Sequence, residues 1–291
     1  MSDYRFDRNQ RLFGKDGQAL LRRAVVAVVG VGGLGTHVIQ QLALLGVGGL
    51  LLIDPEDLDE SNRNRYIGAL FDDPIPGTPK VEIGYRLAKR IDPDLQVERI
   101  RQPFRSAAAF RAIRNASHVF GALDTDGERL VLNEVCCAFA RPCVDLASDI
   151  VKEPTLRYGG RVCVNWSGNG CIMCLGVLDQ NAVAEDLGAE ERRRAQEAIY
   201  GVRRSHLNAV GPSVVSINGV VASLGVTEFM VGVTGLREPN RLINYYGEIG
   251  KVVLNTDPPE PDCFYCKAVW GAQETASVDR YLCKSAGFRG R

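Results

Sequence analysis

Histidine is scarce in this sequence, with three among 291 residues. His37, His118 and His206 lie far apart and in no motif, so they read as structural or solvated, and no imidazole dyad is expected. Net charge is missing too: Lys plus Arg and Asp plus Glu both number 35. No global field therefore draws the chain to nucleic acid or to an acidic membrane. The opening MSDYRFDRNQRLFGKDGQALLRR lacks the apolar run of a signal peptide. The longest apolar stretches are broken by Gly or Asp, so none is expected to reach membrane-spanning length. Internal repeats and low-complexity tracts are absent. Nine cysteines are too few for a disulfide framework in a chain of this length, and four of them form two C-x-x-C pairs. That usage points to a reducing cytoplasm and a metal site. What the chain has in plenty is core material, 45% hydrophobic against 24% charged residues.

AVVAVVG (24–30) is a short β-branched run ending in Gly, the pattern of a buried parallel strand. A glycine-rich turn and an apolar helix (36–46) follow, then GLLLID (49–54) as a second strand ending in an acid. PKVEIGYRLAKRI (79–91) starts with Pro and has the period of an amphipathic helix. Strands and helices keep alternating to about residue 150, the signature of a doubly wound, mostly parallel sheet. Beyond it, TLRYGGRVCVNW (155–166) reads as an antiparallel strand pair turning at Gly-Gly. The stretch 178–211 is polar, with a charged helix at its middle. PSVVSINGVVASLGVTEFMVGVTG (212–235) reads as a long helix too uniformly apolar for the surface. RLINYYGEIGKVVLN (241–255) returns to strands. The expected fold is thus a Rossmann-like α/β sheet flanked by helices and extended by C-terminal antiparallel strands, in one domain over 1–291.

Gly30, Gly32 and Gly35 satisfy G-x-G-x-x-G between a strand and a helix, and Gly33 adds a fourth glycine. Such a turn lets backbone approach a phosphate and aims a helix N-terminus at it. Asp54 follows about 20 residues on, where a carboxylate accepts ribose hydroxyls. This much suits any dinucleotide enzyme. The loop ESNRNR does not: Asn62, Arg63 and Arg65 follow Asp54, and Lys80 opens the next helix. The three basic ones are either solvated loop residues or the cations that a nucleoside triphosphate, with its several charges, requires. Asp124 is expected to end the strand HVFGALD at the carboxyl edge of the sheet, the place of a Mg²⁺ anchor. Asp126 either shares that role or caps the following helix. Cys171, Cys174, Cys263 and Cys266 suit one closed tetrahedral Zn²⁺ site, structural because four thiolates leave no open position. Cys136, Cys137, Cys143 and Cys163 read as small core hydrophobes. Cys283 has no assigned role.

Taken jointly, the G-x-G-G-L-G turn, LIDPEDLDESNRNR, GTPK, ALDTDGER and the paired C-x-x-C resemble the ThiF/MoeB/HesA adenylyltransferases, relatives of the ubiquitin-activating enzymes. The resemblance runs from about Tyr4 to Lys267. It implies an enzyme that uses MgATP to activate the C-terminal carboxylate of a ubiquitin-like or sulfur-carrier β-grasp protein. It further implies that Gly32 and Gly33 line the nucleotide and Asp54 takes the ribose. Asn62, Arg65 and Lys80 would contact phosphates, Asp124 would hold Mg²⁺, and Arg129 matches a family arginine. Arg8 would match an arginine finger that reaches the partner's ATP in a homodimer, and the cysteine pairs match a structural zinc site. Residues 151–291 would then carry the zinc and carrier-binding half, with a crossover loop at about 178–211.

Two features depart from the family pattern. Thr125 stands where Asn is common beside the Mg²⁺ aspartate. Residues 175–262 contain no cysteine, so a crossover-loop thioester is not expected, and Ser205, His206 and Asn208 stand near its usual place. The acyl-adenylate would then pass to an outside nucleophile, such as a sulfur donor or a conjugating enzyme. Alternatives are adenylation of a short peptide or a tRNA base, a nicotinamide-dependent oxidoreductase, and a carrier-binding pseudoenzyme subunit. The presence of Arg8, Arg65, Lys80 and Asp124 speaks against the last.

Overall fold

The β-branched run Val25–Val29 forms strand β1, and its residues from Val26 on are wholly buried. Val26 and Val28 face one hydrophobic cluster and Ala27 and Val29 face another, so β1 is covered on both sides. In this computed structural model, which describes residues 3–152, 154–188 and 212–283, β1 is preceded by helix α1 (Asp7–Arg23), kinked at Phe13–Gly14. It is followed by α2 (Gly33–Leu45), β2 (Gly49–Ile53), α3 (Lys80–Ile91) and β3 (Gln96–Ile100). Then come α4 (Ala107–Asn115), β4 (His118–Gly121), α5 (Asp126–Ala138), β5 (Cys143–Val151) and β6 (Arg157–Asn165). Helix α6 (Gln180–Leu187), a long helix here called α7 (Val215–Thr234), β7 (Leu242–Tyr246) and β8 (Lys251–Leu254) complete the described elements.

All eight strands make one sheet in the order β3-β2-β1-β4-β5-β6-β7-β8. Pairs from β3 to β5 are parallel, and pairs from β5 to β8 are antiparallel. The order reverses direction between β1 and β4. Chain connections leave that point on opposite sides, opening a crevice at the carboxyl ends of those strands.

Three expectations need correction. Residues 155–166 are not a strand pair: β6 runs straight through, pairing Asp149 with Gly159 and Ser148 with Gly160. Its glycines serve close approach instead of a turn. A Cβ on Gly159 would lie 1.8 Å from the Tyr245 carbonyl oxygen, and one on Gly160 would lie 2.3 Å from that of Ala147. The expectation that no stretch reaches membrane-spanning length also fails, because α7 has 20 residues at a mean hydropathy of 1.4. Here α7 packs against α1, α2, β5 and β6, burying Ile217, Val221, Ala222, Val226 and Phe229. Buried Glu228 inside it is paired with Arg237 through two hydrogen bonds of 2.7 Å. Finally, β4 stops at Gly121, so Asp124 does not end the strand but stands in the loop beyond it.

Gly35 makes the seam between α2 and the preceding turn. A Cβ there would lie 2.1 Å from the Gly30 carbonyl oxygen, which is backbone and cannot swing aside. Alanine normally favours a helix interior over glycine, by about 0.5–1 kcal/mol. Overpacking reverses the sign here, so Gly35→Ala is expected to cost about 1–3 kcal/mol in denaturant unfolding. A neutral or stabilised variant would show that helix and turn are not in close contact.

Candidate active site

The crevice between β1 and β4 is where the sequence motifs meet. Gly30 leaves β1 with φ +91°, and a Cβ on it would lie 2.3 Å from the Ala122 carbonyl oxygen. Only glycine fits so close a crossing of the two loops. Gly32 caps α2 without any side-chain bond, and nothing stands within 4 Å of where its Cβ would be. The first N–H groups of α2 have no partner within the helix, an arrangement suited to an anion.

Asp54 follows β2 directly and is nearly fully buried. Its Oδ2 accepts from Val31 N at 2.8 Å and its Oδ1 from Glu56 N at 2.9 Å. Burial raises its pKa above the ordinary carboxylate value, and the Lys80 charge opposes that rise. Two backbone donors fix the carboxylate and leave lone pairs for further donors. Lys80 starts α3 with its stem buried, and its ammonium meets the Glu56 carboxylate. Asp124 is exposed on the far lip of the cleft. One cleft of about 170 Å³ is lined by Gly30, Gly32, Asp54, Lys80 and Asp124, with Phe104 and Leu123 as apolar walls.

Glu128 lines the same cleft and was not among the expected residues. It sits on the first turn of α5, four residues after Asp124, and that spacing of two acids was the available signal. Burial raises its pKa, with the Asp124 charge adding to the effect. Thr125, and not Asp126, caps α5: its Oγ1 accepts from Glu128 N at 3.3 Å. The Asp126 carboxylate instead accepts from Asp179 N at 2.8 Å.

The two arginines of ESNRNR part company. They lie on a 3-10 helix, Glu60–Arg65, whose start is tied by a reciprocal capping box between Asp59 and Asn62. The stem of Arg65 runs beside the glycine turn, 3.4 Å from where a Gly33 Cβ would stand. Arg63 turns away and donates to the carbonyls of Leu70 and Asp73, holding the loop that leads to Lys80. Asp73 in turn accepts from Arg86 at 2.6 and 2.7 Å, which holds its carboxyl below the ordinary range. Asn62 is engaged with Asp59 N at 3.3 Å and is not among the lining residues of the cleft.

Arg129 lies elsewhere. It is buried behind α5, donating to Asp145 Oδ1 at 2.7 Å and to the Leu146 carbonyl at 2.9 Å. Asp145 Oδ2 accepts from Arg161 at 2.6 Å. Arg8 is exposed on α1, outside the cleft. Burial pushes His118 down to about 4, packed at 5.1 Å from both Trp166 and Phe229. His37 is half-buried and also lowered by burial. Neither lines the cleft, while Ser205, His206 and Asn208 lie outside the described residues.

The four paired cysteines come together although residues 175–262 separate the pairs. All four sulfurs lie within 4.8 Å of one another, with Cys171–Cys263 at 3.7 Å and Cys174–Cys266 at 3.8 Å. A tetrahedral site with Zn–S of about 2.3 Å has sulfur–sulfur edges of about 3.8 Å, so the spacing fits that ion. Cys136, Cys137, Cys143 and Cys163 are buried, and burial pushes the thiols of Cys137 and Cys163 up. Such thiols are poor nucleophiles. Cys283 is exposed.

Residues 6–268 match the model of the ThiF family. The chain is 35% identical over 162 residues to the SAMP-activating enzyme E1 of Haloferax volcanii, covering 56% of this chain and 57% of that protein. It is 31% identical over 163 residues to the sulfur carrier protein ThiS adenylyltransferase of Escherichia coli, covering 55% and 61%. The matched stretches thus span less than two thirds of these relatives' own length. Among solved structures, that of E. coli MccB with ATP has a TM-score of 0.68 at 20% identity, covering 91% of this chain and 75% of that one. At that identity the likeness is one of fold.

Proposed function

This chain belongs to the ThiF family, and from that premise we propose that it is an ATP-dependent adenylyltransferase. Its substrate in this reading is the C-terminal carboxylate of a ubiquitin-like or sulfur-carrier protein. The observation that carries the reading is the joining of Gly32, Asp54, Lys80 and Asp124 in one cleft at the β1/β4 switch. The curated relatives named above supply the substrate class, since one is named for activating SAMP and the other for adenylylating ThiS.

The chemistry asks little of the protein beyond alignment and charge. A C-terminal carboxylate is already ionised at neutral pH and needs no base, in keeping with a cleft that no histidine lines among the described residues. Its oxygen attacks the α-phosphorus of ATP, forming the acyl–phosphate bond. The bond from that phosphorus to the bridging oxygen breaks, and pyrophosphate leaves with the electron pair. Asp54 would hold the ribose, and the amides of the α2 N-terminus the phosphates. Lys80 and Arg65 would take up charge that builds on the leaving group. Asp124 would anchor the Mg²⁺ that ATP brings, with Glu128 beside it, and that ion would supply further neutralisation. An open groove of about 350 Å³ over β5, β6 and β7, lined by Asp149, Arg161 and Asn244, offers the carrier's tail an approach. Zn²⁺ would occupy the four-cysteine site as a structural ion. A homodimer with Arg8 reaching the partner's nucleotide belongs to the same reading. So does transfer of the acyl-adenylate to an outside sulfur donor or conjugating enzyme.

The test is ATP–pyrophosphate exchange with Mg²⁺ and a panel of carrier proteins and short peptides. Exchange is expected only with a carrier whose C-terminus is free. Exchange driven by a short peptide alone would move the substrate class to peptides. Absence of exchange with every member, while ATP still binds, would overturn the carrier reading.

A further inference from the structure

We infer that Asn218 is a positioning residue for the phosphate end of the nucleotide, acting through Gly33; the inference rests on the ATP reading above. Asn218 lies in the first turns of α7, 1% exposed, in a helix built, Glu228 apart, mostly of small and apolar residues. An amide in such a place is costly unless bonded, by about 1–3 kcal/mol. Leucine would fill much the same space without that cost, so the choice of an amide calls for a reason. Glu228, the other buried polar residue of α7, has one in its pairing with Arg237 and Asn240.

The bonds of Asn218 join separate pieces of chain. Its Oδ1 accepts from Ser148 Oγ at 2.8 Å, and its Nδ2 donates to Ser213 Oγ at 3.2 Å. The same Nδ2 lies 2.6 Å from where a Cβ of Gly33 would be, while Arg65 Cγ and Cδ lie 3.4 Å from that point. The first residue of α2 is therefore held between an amide on one side and an arginine stem on the other. Gly33 has no side chain because the Asn218 amide occupies its place. The second N–H on Nδ2 has no acceptor among the described residues.

The link also reaches the sheet. Ser148 points toward α7, while its neighbours Ala147 and Asp149 line the open groove. Asn218 thus connects the groove strand β5, the chain entering α7 at Ser213, and the turn whose amides would face phosphate. A change in any one of these reaches the others through a single rigid amide. Phosphate held by the α2 N-terminus depends on where Gly33 sits, whereas adenosine depends on Asp54 and the walls at Phe104 and Leu123.

Two variants test this, Asn218→Leu alone and together with Ser148→Ala. The double variant removes both partners of a buried bond, so it leaves no orphaned group between them. Ser213 is half-exposed and has access to water. Calorimetric titration with MgATP and with AMP, alongside thermal melts, gives the readout. ATP affinity is expected to fall roughly tenfold, the scale of one well-made hydrogen bond, with AMP affinity nearly unchanged in both variants. An unaltered ratio of ATP to AMP affinity, at whatever melting temperature, overturns the inference. Wild-type protein that binds neither nucleotide overturns the ATP reading itself, and the inference with it.

Discussion

Asp124→Ala loses ATP–pyrophosphate exchange by a factor on the order of 10²–10³, the usual consequence of removing a group that stabilises charge in the transition state. Its melting temperature is expected to match the wild type. Asp124 is exposed in the loop between β4 and α5, and no hydrogen bond or ion pair of its side chain to the described residues fastens the fold. So large an effect follows from the charge around the cleft. Asp54, Glu56, Asp124 and Glu128 all line it, against Lys80 as the one lysine or arginine among its described lining residues. A triphosphate entering such a place meets repulsion unless a divalent cation comes with it and finds an anchor. Asp124 stands at the lip, beside space, where an ion can keep most of its waters. Glu128 is the fallback. A variant retaining exchange within tenfold would move the anchor to Glu128, and Glu128→Gln would then show the large loss.

Cys263→Ser is expected to release one bound metal per chain and to lower stability by several kcal/mol. The upper bound is the roughly 10–16 kcal/mol that structural zinc contributes in small domains with little core of their own. This chain has a large core, so unfolding should remain cooperative at a lower midpoint. The cluster fastens Cys171 and Cys174, just beyond β6, to Cys263 and Cys266 near the end of the described chain. Residues after Cys266 then run across α4 and α5. Arg280 and Tyr281 both bond the buried Glu134 carboxylate, and Arg114 donates to Asp279 at 2.6 Å. Losing the metal should loosen that strap and expose Glu134. Metal analysis of the purified protein and a thermal melt of the variant check both parts. Protein that carries no metal, with a Cys263→Ser melt like wild type, would mean that the thiols merely pack.

Much of this was legible in the sequence, and the reasons differ from place to place. The glycine turn was readable because a strand, a tight turn and a helix must follow in that order, and only glycine survives the crossing at Gly30. The four cysteines were readable because metal ligands advertise themselves by type and spacing. The family pattern pointed to Arg65 and not Arg63, but residue chemistry treated both alike, since two arginines with one residue between them look the same until the backbone turns. The Gly159–Gly160 pair looked like a turn because local sequence carries no record of Tyr245 or Ala147 pressing against it. Asn218 was overlooked for a related reason. One amide in an apolar helix has no local signature, and its partners Ser148 and Gly33 come from distant parts of the chain.

Helix α7 bears on how the chain is made as well as on how it holds together. Val26, Val28, Val144, Leu146, Val162 and Val164 share one hydrophobic cluster with Val221, Ala222, Val226 and Phe229 of α7. A ribosome delivers six strands of the sheet before it delivers this helix. Until residue 234 has been added, the β5 and β6 part of that face has no lid and the emerging helix itself is sticky. The interval invites capture by chaperones and self-association. Truncated translation products ending before Val215 are therefore the ones that should aggregate, whatever their catalytic residues.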